Sequence, residues 1–316
     1  MLLIDIISLL IALTVLVISG RLIVRLLSRI AVYIGLTEFI ISFVLMAFAT
    51  SIPELFIGIN SAINHIPILA LGNVIGANIL NLTLIIGVVA LLTKNITLKE
   101  SIKENLFFMF ILSTLPIILI WFGRSLSRLD GLVLISIFIW YIYRTIKEKR
   151  KFTNILNEKN NVIMNFFKFM NNIALFILTA MLLFLSSYYV VKYASSLAAD
   201  LGVSTILIGL FLVAIGTTLP ELTFGVMSAL AKKGEMAVGD SIGSVICNST
   251  LILGVTALIY PISNDFMLLF TSLLFMLFSV IIFILMVRKS NTISWKKGLI
   301  LLFVYILFIL LEFYLK

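Results

Sequence analysis

Long apolar runs dominate this chain, and they are not the spaced apolar positions of an amphipathic surface helix. Runs of about 18 residues or more recur from end to end, and each is long enough to cross a hydrocarbon core of about 30 Å as an α-helix. The pattern predicts an all-α membrane protein with ten transmembrane helices. The predicted spans are 2–20, 37–63, 68–92, 105–122, 129–146, 170–190, 204–230, 236–260, 266–287 and 297–314.

Composition supports a membrane location. Hydrophobic residues make up 62% of the 316 residues and charged residues only 12%, with a mean hydropathy of +1.24, whereas about a quarter of a soluble domain is charged. A soluble all-α protein could not cover this much apolar surface. The run at 2–19 lacks a basic leader and a small-residue cleavage site, so we interpret it as a spanning helix and not as a removed signal.

Basic residues are unevenly distributed between the predicted loops. The chain has 23 Lys and Arg residues and a net charge of +9, and all of them except Arg124, Arg128, Lys192 and Lys316 fall in the first, third, fifth, seventh and ninth loops. An excess of Lys and Arg marks cytoplasmic loops. We therefore expect a multi-pass protein of the cell membrane with both termini outside and the basic loops in the cytoplasm. Topology explains the high charge, and no nucleic-acid partner is expected.

The two halves of the chain share one motif. When the sequence is shifted by 167 residues, polar and glycine positions coincide, which shared hydrophobicity alone would not produce. The matched residues include Thr50, Pro53, Glu54, Ser61, Gly72, Gly76 and Asn81, which fall on Thr217, Pro220, Glu221, Ser228, Gly239, Gly243 and Asn248.

The repeat predicts the organisation of the whole chain. Each half holds five predicted helices, an odd number, so the second half would enter the membrane from the opposite side, as in secondary transporters. We predict a first repeat at 1–147 with its motif at 47–81, a polar cytoplasmic connector at 148–168, and an inverted second repeat at 169–316 with its motif at 214–248.

Two glutamates lie inside the apolar spans, at matching places in the two repeats. An acidic side chain at the bilayer centre costs about 2.5–3.5 kcal/mol, and such groups face a cavity or a partner. Pro53 and Pro220 directly precede Glu54 and Glu221. Because proline lacks an N–H and clashes with the preceding turn, we expect helices 2 and 7 to be broken there, with free carbonyls around Ala47 and neighbouring residues.

The expected site is a cation site made only of oxygen atoms. Calcium prefers about 6–8 hard oxygen ligands, and the duplicated motif contains no His or Cys of the kind that soft metals require. Cys247 corresponds to Leu80 in the other repeat, so we interpret it as a packing residue. The candidate ligands are the side chains of Glu54, Glu221, Asn81, Asn248, Thr50, Ser51, Thr217, Thr218 and Ser244, and the carbonyls of Ala47 and Ala214.

The motifs resemble the α-repeats of the cation/calcium exchanger superfamily, and most closely its sodium/calcium exchanger family of microbial type. The resemblance rests on the strings AFATSIPE at 47–54 and GNVIGANILN at 72–81, with AIGTTLPE at 214–221 and GDSIGSVICN at 239–248. It implies a secondary antiporter with no cofactor, in which Glu54 and Glu221 centre a calcium site flanked by sodium sites. It also implies alternating access, in which the first and sixth helices slide over the other eight.

Three positions affect that resemblance. Ala77 stands where the family commonly has Ser, although its repeat mate Ser244 is kept. Position 248 is Asn in this chain and in potassium-independent animal exchangers. Many microbial and potassium-dependent members have Asp there. Asp240, the mate of Asn73, is expected to open its helix near the cytoplasm, where it could cap that helix or serve ion entry.

Other functions are weighed against the same residues. A calcium/proton exchanger could use buried glutamates as proton sites, but its family members typically carry a Glu after Gly-Asn in the second motif helix, where this chain has Ile75-Gly76-Ala77 and Ile242-Gly243-Ser244. A cation channel is a further alternative. An intramembrane hydrolase lacks a base, because the single histidine, His65, lies in a predicted loop. We expect no enzyme, and a chain that functions as a monomer.

Overall fold

Helices account for nearly all of the described chain. The computed structural model describes residues 2–33, 46–98, 100–153, 166–263, 266–288 and 291–315. In chain order the α-helices are α1 Leu2–Tyr33, α2 Met46–Thr50, α3 Ile52–Ile63, α4 Pro67–Leu80, α5 Ile86–Thr93, α6 Glu100–Gly123, α7 Arg128–Thr153, α8 Phe166–Leu201, α9 Thr205–Leu207, α10 Ala214–Thr217, α11 Leu219–Leu230, α12 Gly234–Cys247, α13 Leu253–Ile259, α14 Phe266–Arg288 and α15 Trp295–Leu315.

Short segments join or interrupt these helices. Three π-helical turns continue the helices that precede them, namely π1 Asn81–Ile85, π2 Ile208–Val213 and π3 Asn248–Ile252. Four very short strands lie in the connections: β1 Asn95–Thr97, β2 Ser125–Leu126, β3 Ile262–Ser263 and β4 Thr292–Ser294. Helices predominate because each satisfies its backbone hydrogen bonds internally, which a hydrocarbon environment demands.

Seven continuous helices in the described residues are long and apolar enough to cross a membrane, and the pair Thr205–Thr217 and Leu219–Leu230, bent by 42°, makes an eighth candidate. The protein is therefore an all-helical, multi-pass membrane protein. Two of the ten predicted spans are not among these eight. The span 37–63 is described only from Met46, because 37–45 lies outside the described residues, and the span 297–314 forms α15, a helix of 21 residues.

Several helices run past their predicted ends. α1 reaches Tyr33, so Arg21, Arg25 and Arg29 lie on a helix and not in the first loop as predicted. α7 reaches Thr153 and includes the first six residues of the predicted connector at 148–168, of which 154–165 lies outside the described residues. The predictions were wrong because an apolar run fixes only the part of a helix in hydrocarbon. Arg and Lys are good helix formers, and their side chains reach the interface from a helix that continues.

Elements in the two halves recur at the same offset. α3 and α11 both have 12 residues, α4 and α12 both have 14, and each pair begins 167 residues apart. The π-turns π1 and π3 begin at Asn81 and Asn248, again at that offset. The structure therefore repeats the spacing seen in the sequence, down to the position of an irregular turn.

Contacts between the halves also recur in pairs. α5 packs against α15, and the corresponding pair, α13 and α7, packs in the same way. A methyl group built on Gly87 would lie 3.1 Å from the Gly298 carbonyl oxygen, and one on the mate Gly254 would lie 3.0 Å from the Gly131 carbonyl oxygen. The absence of side chains at these glycines lets the helix backbones approach closely.

The connections gather into two groups at opposite ends of the helix from Pro67 to Thr93. At one end, β1 pairs antiparallel with β4, with Ile96 opposite Ile293. A methyl group built on Gly234 would lie 3.0 Å from the Thr93 side chain, so the Lys232–Lys233 turn joins this β1–β4 end.

At the other end, β2 pairs antiparallel with β3, with Leu126 opposite Ile262. The His65 ring lies 4.6 Å from the Tyr260 ring, so the connection after α3 joins this β2–β3 end. The connections that carry β1, β4 and Lys232–Lys233 therefore meet at one end of the helices, and those that carry β2, β3 and His65 meet at the other.

The helices that carry the motifs lie at the centre. In the most apolar stretch of the span Pro67–Thr93, 83% of the residues are buried, and in that of Gly234–Ile259 the share is 72%. The corresponding share for Arg128–Lys147 is only 22%. α1 and α8 pack along one another and are less buried, with values of 33% and 28%. A methyl group built on Gly20 of α1 would lie 2.8 Å from Pro53 Cγ and 3.5 Å from Pro220 Cγ.

Candidate cation-binding site

Two helix interruptions place the central glutamates. α2 ends at Thr50 and α3 begins at Ile52, and the residue between them, Ser51, has φ −82° and ψ 3°. At the related position, Thr218 has φ −82° and ψ 1° between α10 and α11. Pro53 and Pro220 are the second residues of α3 and α11, where a missing N–H costs little. Glu54 and Glu221 therefore lie in the first turn of each helix.

The two carboxylates lie near each other in the interior. Both glutamates are 0% exposed, and all four of their carboxylate oxygens lack a hydrogen-bond partner. Asp240 is a third acid near Glu54 and Glu221, and negative charges on these carboxylates would repel one another. Buried charges are normally paired or coordinate a metal ion. Four acceptor oxygens with no donor therefore fit a cation, which here would be the transported substrate.

A threonine hydroxyl from each half lies beside the glutamate of the other half. The Thr217 hydroxyl lies beside the Glu54 carboxylate, and the Thr50 hydroxyl lies beside the Glu221 carboxylate. Thr217 Oγ1 donates to Asn73 Oδ1 at 3.0 Å. Thr50 and Thr217 are both 0% exposed. The predicted hydroxyl ligands of one half thus face the predicted carboxylate of the other.

The two asparagines begin π1 and π3, which contact the glutamate-bearing helices α11 and α3 of the opposite half, but they differ in their partners. Asn81 is 0% exposed, and both polar atoms of its amide lack a partner. The Asn248 amide donates from Nδ2 to Asn78 Oδ1 at 3.1 Å, and its Oδ1 has no partner. Asn78 Nδ2 in turn donates to Ser249 Oγ at 2.9 Å. Asn78 therefore fixes the Asn248 amide so that its oxygen remains available as a ligand.

The remaining predicted ligands differ in how they are engaged. Ser51 Oγ is buried without a partner, beside the Cys247 thiol. The Thr218 hydroxyl donates to the Ala214 carbonyl oxygen at 2.8 Å, so its proton is used within its own helix. Ser244 Oγ lies 3.4 Å from Thr50 Oγ1.

The carbonyls of Ala47 and Ala214 accept from neighbouring hydroxyls. Thr50 Oγ1 lies 3.4 Å from the Ala47 oxygen, and Thr217 Oγ1 lies 3.3 Å from the Ala214 oxygen. A carbonyl oxygen has two lone pairs. The Ala214 oxygen already accepts from the Thr218 N–H at 3.0 Å and from the Thr218 hydroxyl at 2.8 Å, so it is less available to a cation than the Ala47 oxygen.

Glycines bring the asparagine-bearing helix α4 against the other half. A methyl group on Gly72 would lie 2.4 Å from the Ile206 carbonyl oxygen, and one on Gly76 would lie 2.1 Å from the Leu210 carbonyl oxygen. Gly76 also faces Ala214, at 2.7 Å from its Cβ. These close approaches hold α4 against α9, π2 and α10, which lead into the Glu221 interruption.

The structure corrects the expectation for Asp240. α12 begins at Gly234 with Lys233 before it, so Asp240 is the seventh helical residue and does not open or cap the helix. It is 2% exposed, and its Oδ1 lies 3.4 Å from Thr50 Oγ1. A buried acid in the second turn points into the helix bundle and not to solvent. The capping interpretation was therefore wrong.

Two site residues were missed from the sequence. Asn73 is the repeat mate of Asp240, and its contact with Thr217 could have been anticipated from that relation. Asn78 corresponds to Val245, so the repeat comparison gave no signal for it. A signal did exist in the helical spacing, because Asn78 precedes Asn81 by three residues and shares its face.

A soft-metal site is not evident in the described part of the chain. It contains no group of three or more His, Cys, Asp or Glu side chains arranged as metal ligands. A cation between the two glutamates would therefore also use neutral oxygens, as hard cations do. His65 lies in a connection with φ 59°, as expected for a loop residue.

A multi-pass helical fold around buried, unpartnered carboxylates and amide oxygens defines a membrane cation transporter. The sodium/calcium exchanger protein family matches residues 4–147 and 171–314. The chain belongs to this family, as the motif resemblance implied, and the two matched segments begin 167 residues apart. It is an exchanger and not an enzyme.

Individual relatives agree with the family. The chain is 30% identical over 282 residues to the sodium/calcium exchanger MaX1 of Methanosarcina acetivorans, covering 78% of this chain and 80% of MaX1. It is 29% identical over 198 residues to the inner membrane protein YrbG of Escherichia coli, covering 61% of each. The solved structure of the sodium-calcium exchanger NCX_Mj is similar, with a TM-score of 0.68, 26% identity and coverage of 98% of this chain and 99% of that one.

We predict that Asn78→Val, which installs the residue found at the related position 245, weakens the apparent affinity for the transported cation by about tenfold. The change removes the buried hydrogen bonds of Asn78 with Asn248 and Ser249. The bond to Asn248, worth about 1–1.5 kcal/mol, is the one that keeps the Asn248 amide from rotating. Cation-dependent flux in proteoliposomes measures this affinity. Asn64→Val, in the exposed connection after α3, is the control and should leave it unchanged. A folded Asn78→Val protein with unaltered affinity would contradict the role given to Asn78.

Proposed function

We propose that this protein is a secondary active antiporter that exchanges sodium for calcium by alternating access, with Glu54 and Glu221 as its central cation ligands. The observation that carries the proposal is the pair of fully buried glutamates from the two halves, whose four carboxylate oxygens have no protein donor. Family membership and the similarity to the sodium/calcium exchangers MaX1 and NCX_Mj support sodium and calcium as the exchanged ions.

The ligand chemistry favours calcium. The candidate ligands combine two carboxylates, two amide oxygens and several hydroxyl and carbonyl oxygens, a set that suits a hard divalent cation in flexible geometry. Two negative charges would balance one Ca²⁺. Sodium, also a hard cation, can use the same oxygens, so the two ions would compete for one region of the protein. Such competition is what an antiporter requires.

We prefer sodium coupling to proton coupling because the helices that follow Glu54 and Glu221 in the chain, α4 and α12, lack a glutamate at the position typical of proton-coupled members. The residues after Gly72-Asn73 and Gly239-Asp240 supply no further glutamate, which the proton-coupled family members typically carry there. Calcium/proton exchange by Glu54 and Glu221 is the alternative, and the flux experiment below separates the two. A cation channel is disfavoured by central helices that are largely buried.

The two halves are proposed to be inverted repeats, which together give ten spans. Matching helix bounds and paired contacts between halves support this arrangement. The grouping of connections supports it further, because alternate connections meet at the same end, as they must when each intervening helix crosses once. With an approximate two-fold relation, each half contributes one glutamate to the same central site.

α1 and α8 are proposed as the moving pair. They pack along one another, and α1 contacts both helix interruptions through Gly20, against Pro53 and Pro220. A glycine at the crossing leaves no side chain to lock the helices in one register. Sliding of this pair would expose the glutamates to one side and then to the other. Because all ligands come from one chain, a monomer suffices.

The β1–β4 end is proposed to be cytoplasmic, with both termini outside the cell membrane. Lys94, Lys232, Lys233, Lys296 and Lys297 lie at or beside this end, whereas Arg124 and Arg128 flank the β2–β3 end. This asymmetry follows the preference of Lys and Arg for cytoplasmic connections.

We predict opposite labelling of cysteines placed at the two ends. In a Cys247→Ala background, Arg124→Cys should react with a membrane-impermeant maleimide in intact cells, and Lys233→Cys only in inside-out vesicles, since both positions are exposed but on opposite sides. The Cys247→Ala protein without an added cysteine is the control. Labelling of both positions from one side would contradict the proposed topology.

We predict that an imposed sodium gradient drives calcium uptake into proteoliposomes, while potassium and pH gradients alone do not. Glu54→Gln and Glu221→Gln should each reduce this uptake by about 100-fold or more, because the buried cation would lose one of its two carboxylate partners, and breaking a buried ion pair costs about 3–5 kcal/mol. Glu312→Gln is the matched control. Glu312 is also a buried glutamate, 2% exposed, but it lies on α15 and accepts a hydrogen bond from Ser272 at 2.6 Å.

Three results would revise the proposal. Uptake driven by a pH gradient would favour the calcium/proton alternative. Normal uptake by both glutamine variants would overturn the site assignment. Loss of uptake in Glu312→Gln equal to that in the site variants would indicate a general requirement for buried acids, not a site.

A further inference from the structure

Asp240 is a buried acid that the central pair of glutamates does not explain. It is 2% exposed, lies in the second turn of α12, and acts electrostatically on both Glu54 and Glu221. Its carboxylate comes from α12, a helix that carries neither glutamate, so its position in the interior is defined by the groups around it.

That position is the corner around the Thr50 hydroxyl. Thr50 Oγ1 lies 3.4 Å from each of three oxygens: the Ala47 carbonyl oxygen, Asp240 Oδ1 and Ser244 Oγ. All three separations exceed the about 2.7–2.8 Å of a normal hydroxyl hydrogen bond. The Glu221 carboxylate, fully buried and without a partner, lies beside the same hydroxyl.

These separations suit oxygens arranged around a cation. Adjacent ligands of an octahedral ion with oxygen bonds of about 2.4 Å are about 3.4 Å apart, and calcium binds oxygen at about 2.3–2.6 Å. Hydroxyl, carbonyl and carboxylate oxygens from α2, α12 and α11 therefore meet at one corner with the spacing of a coordination shell. The two carboxylates give it negative charge.

The related corner in the other half is poorer in ligands. Thr217 Oγ1 donates to Asn73 Oδ1 at 3.0 Å and lies 3.3 Å from the Ala214 oxygen. Asn73 replaces the carboxylate of Asp240 with a neutral amide, and Ala77 replaces the hydroxyl of Ser244. The pair of corners therefore differs by one charge and one oxygen ligand, although the backbone around them repeats.

We propose that Asp240 is a direct ligand of a hard cation bound at the Thr50–Ser244 corner, and that the Thr217 corner lacks an equivalent charged position. This inference rests on the proposed function and specifies where a second cation, besides the one between Glu54 and Glu221, is held. The chemistry is that of sodium or calcium, and the two ions are distinguished by the experiment. The asymmetry would bias coupling-ion binding towards one end of the site.

The test is Asp240→Asn, which installs the residue of the related position 73. Purified protein is heated in detergent with increasing NaCl or CaCl₂, with choline chloride keeping ionic strength constant, since a ligand that binds only the folded protein raises its melting temperature. The half-effective concentration of one or both ions should rise by about tenfold, because ligand charge sets cation affinity in oxygen sites. The ion that shows the larger shift is the occupant of this corner.

Stability without ions separates binding from a structural role. If Asp240 is a ligand, Asp240→Asn should keep or raise the ion-free melting temperature, because it removes a buried charge beside Glu221. If Asp240 were only a structural hydrogen-bond partner, the variant should melt lower without ions and keep its ion dependence. That second result would overturn the inference, as would half-effective concentrations within about twofold of wild type for both ions.

Matched variants make the result specific. Glu235→Gln removes an acid from the first turn of the same helix and should leave both titrations unchanged. The exchange Asn73→Asp with Asp240→Asn moves the charge to the other corner and should not restore wild-type affinity there, because Ala77 offers no hydroxyl. Full restoration by this exchange would contradict the proposed asymmetry.

The inference and the proposed function fail in different ways. If wild-type proteoliposomes show no calcium flux under any gradient, the exchanger proposal fails. If wild type exchanges calcium and Asp240→Asn binds both ions normally, only the role of Asp240 fails.

Discussion

The main constraint on the structure is the electrostatic free energy required to bury two carboxylates that no protein group neutralises. Glu54 and Glu221 are fully buried and lack hydrogen-bond donors, a state that is expensive in a low-dielectric interior unless a cation is present. The surrounding helices hold both carboxylates in this buried position. Prolines set both glutamates in first turns, glycines bring α4 against the opposite half, and α1 crosses the two interruptions. Binding of a hard cation would then be favourable because it offsets the unfavourable free energy of the two buried carboxylates.

Duplication provides two glutamates, but the two halves are not equivalent. Asn248 is held by Asn78, whereas the amide of Asn81 has no partner. Asp240 and Ser244 have Asn73 and Ala77 as mates. The repeated backbone therefore carries an uneven set of ligands, and a transporter that must bind different ions in turn has use for such unevenness. Symmetry of the fold would govern the movement, and asymmetry of the side chains would govern which ion is carried.

The sequence was sufficient for the family and the all-helical membrane fold, because polar residues at a fixed offset in an apolar chain leave few explanations. It was insufficient wherever the answer depended on contacts between helices. Hydropathy could not show that α1 continues through Arg25 to Tyr33, since helix formation does not end with the hydrocarbon. The repeat could not reveal Asn78, whose mate is Val245. Asp240 was misplaced because its helix was expected to begin later than Gly234, and only packing shows that it faces Thr50.

The most direct test of the central claim is anomalous scattering from crystals grown with strontium, a calcium-like cation. The account predicts a strong peak within coordinating distance of carboxylate oxygens from both Glu54 and Glu221, with oxygens of Asn81 or Asn248 also within reach. Peaks found only elsewhere, or a pair of carboxylates separated and turned towards lipid in the ion-bound protein, would contradict it.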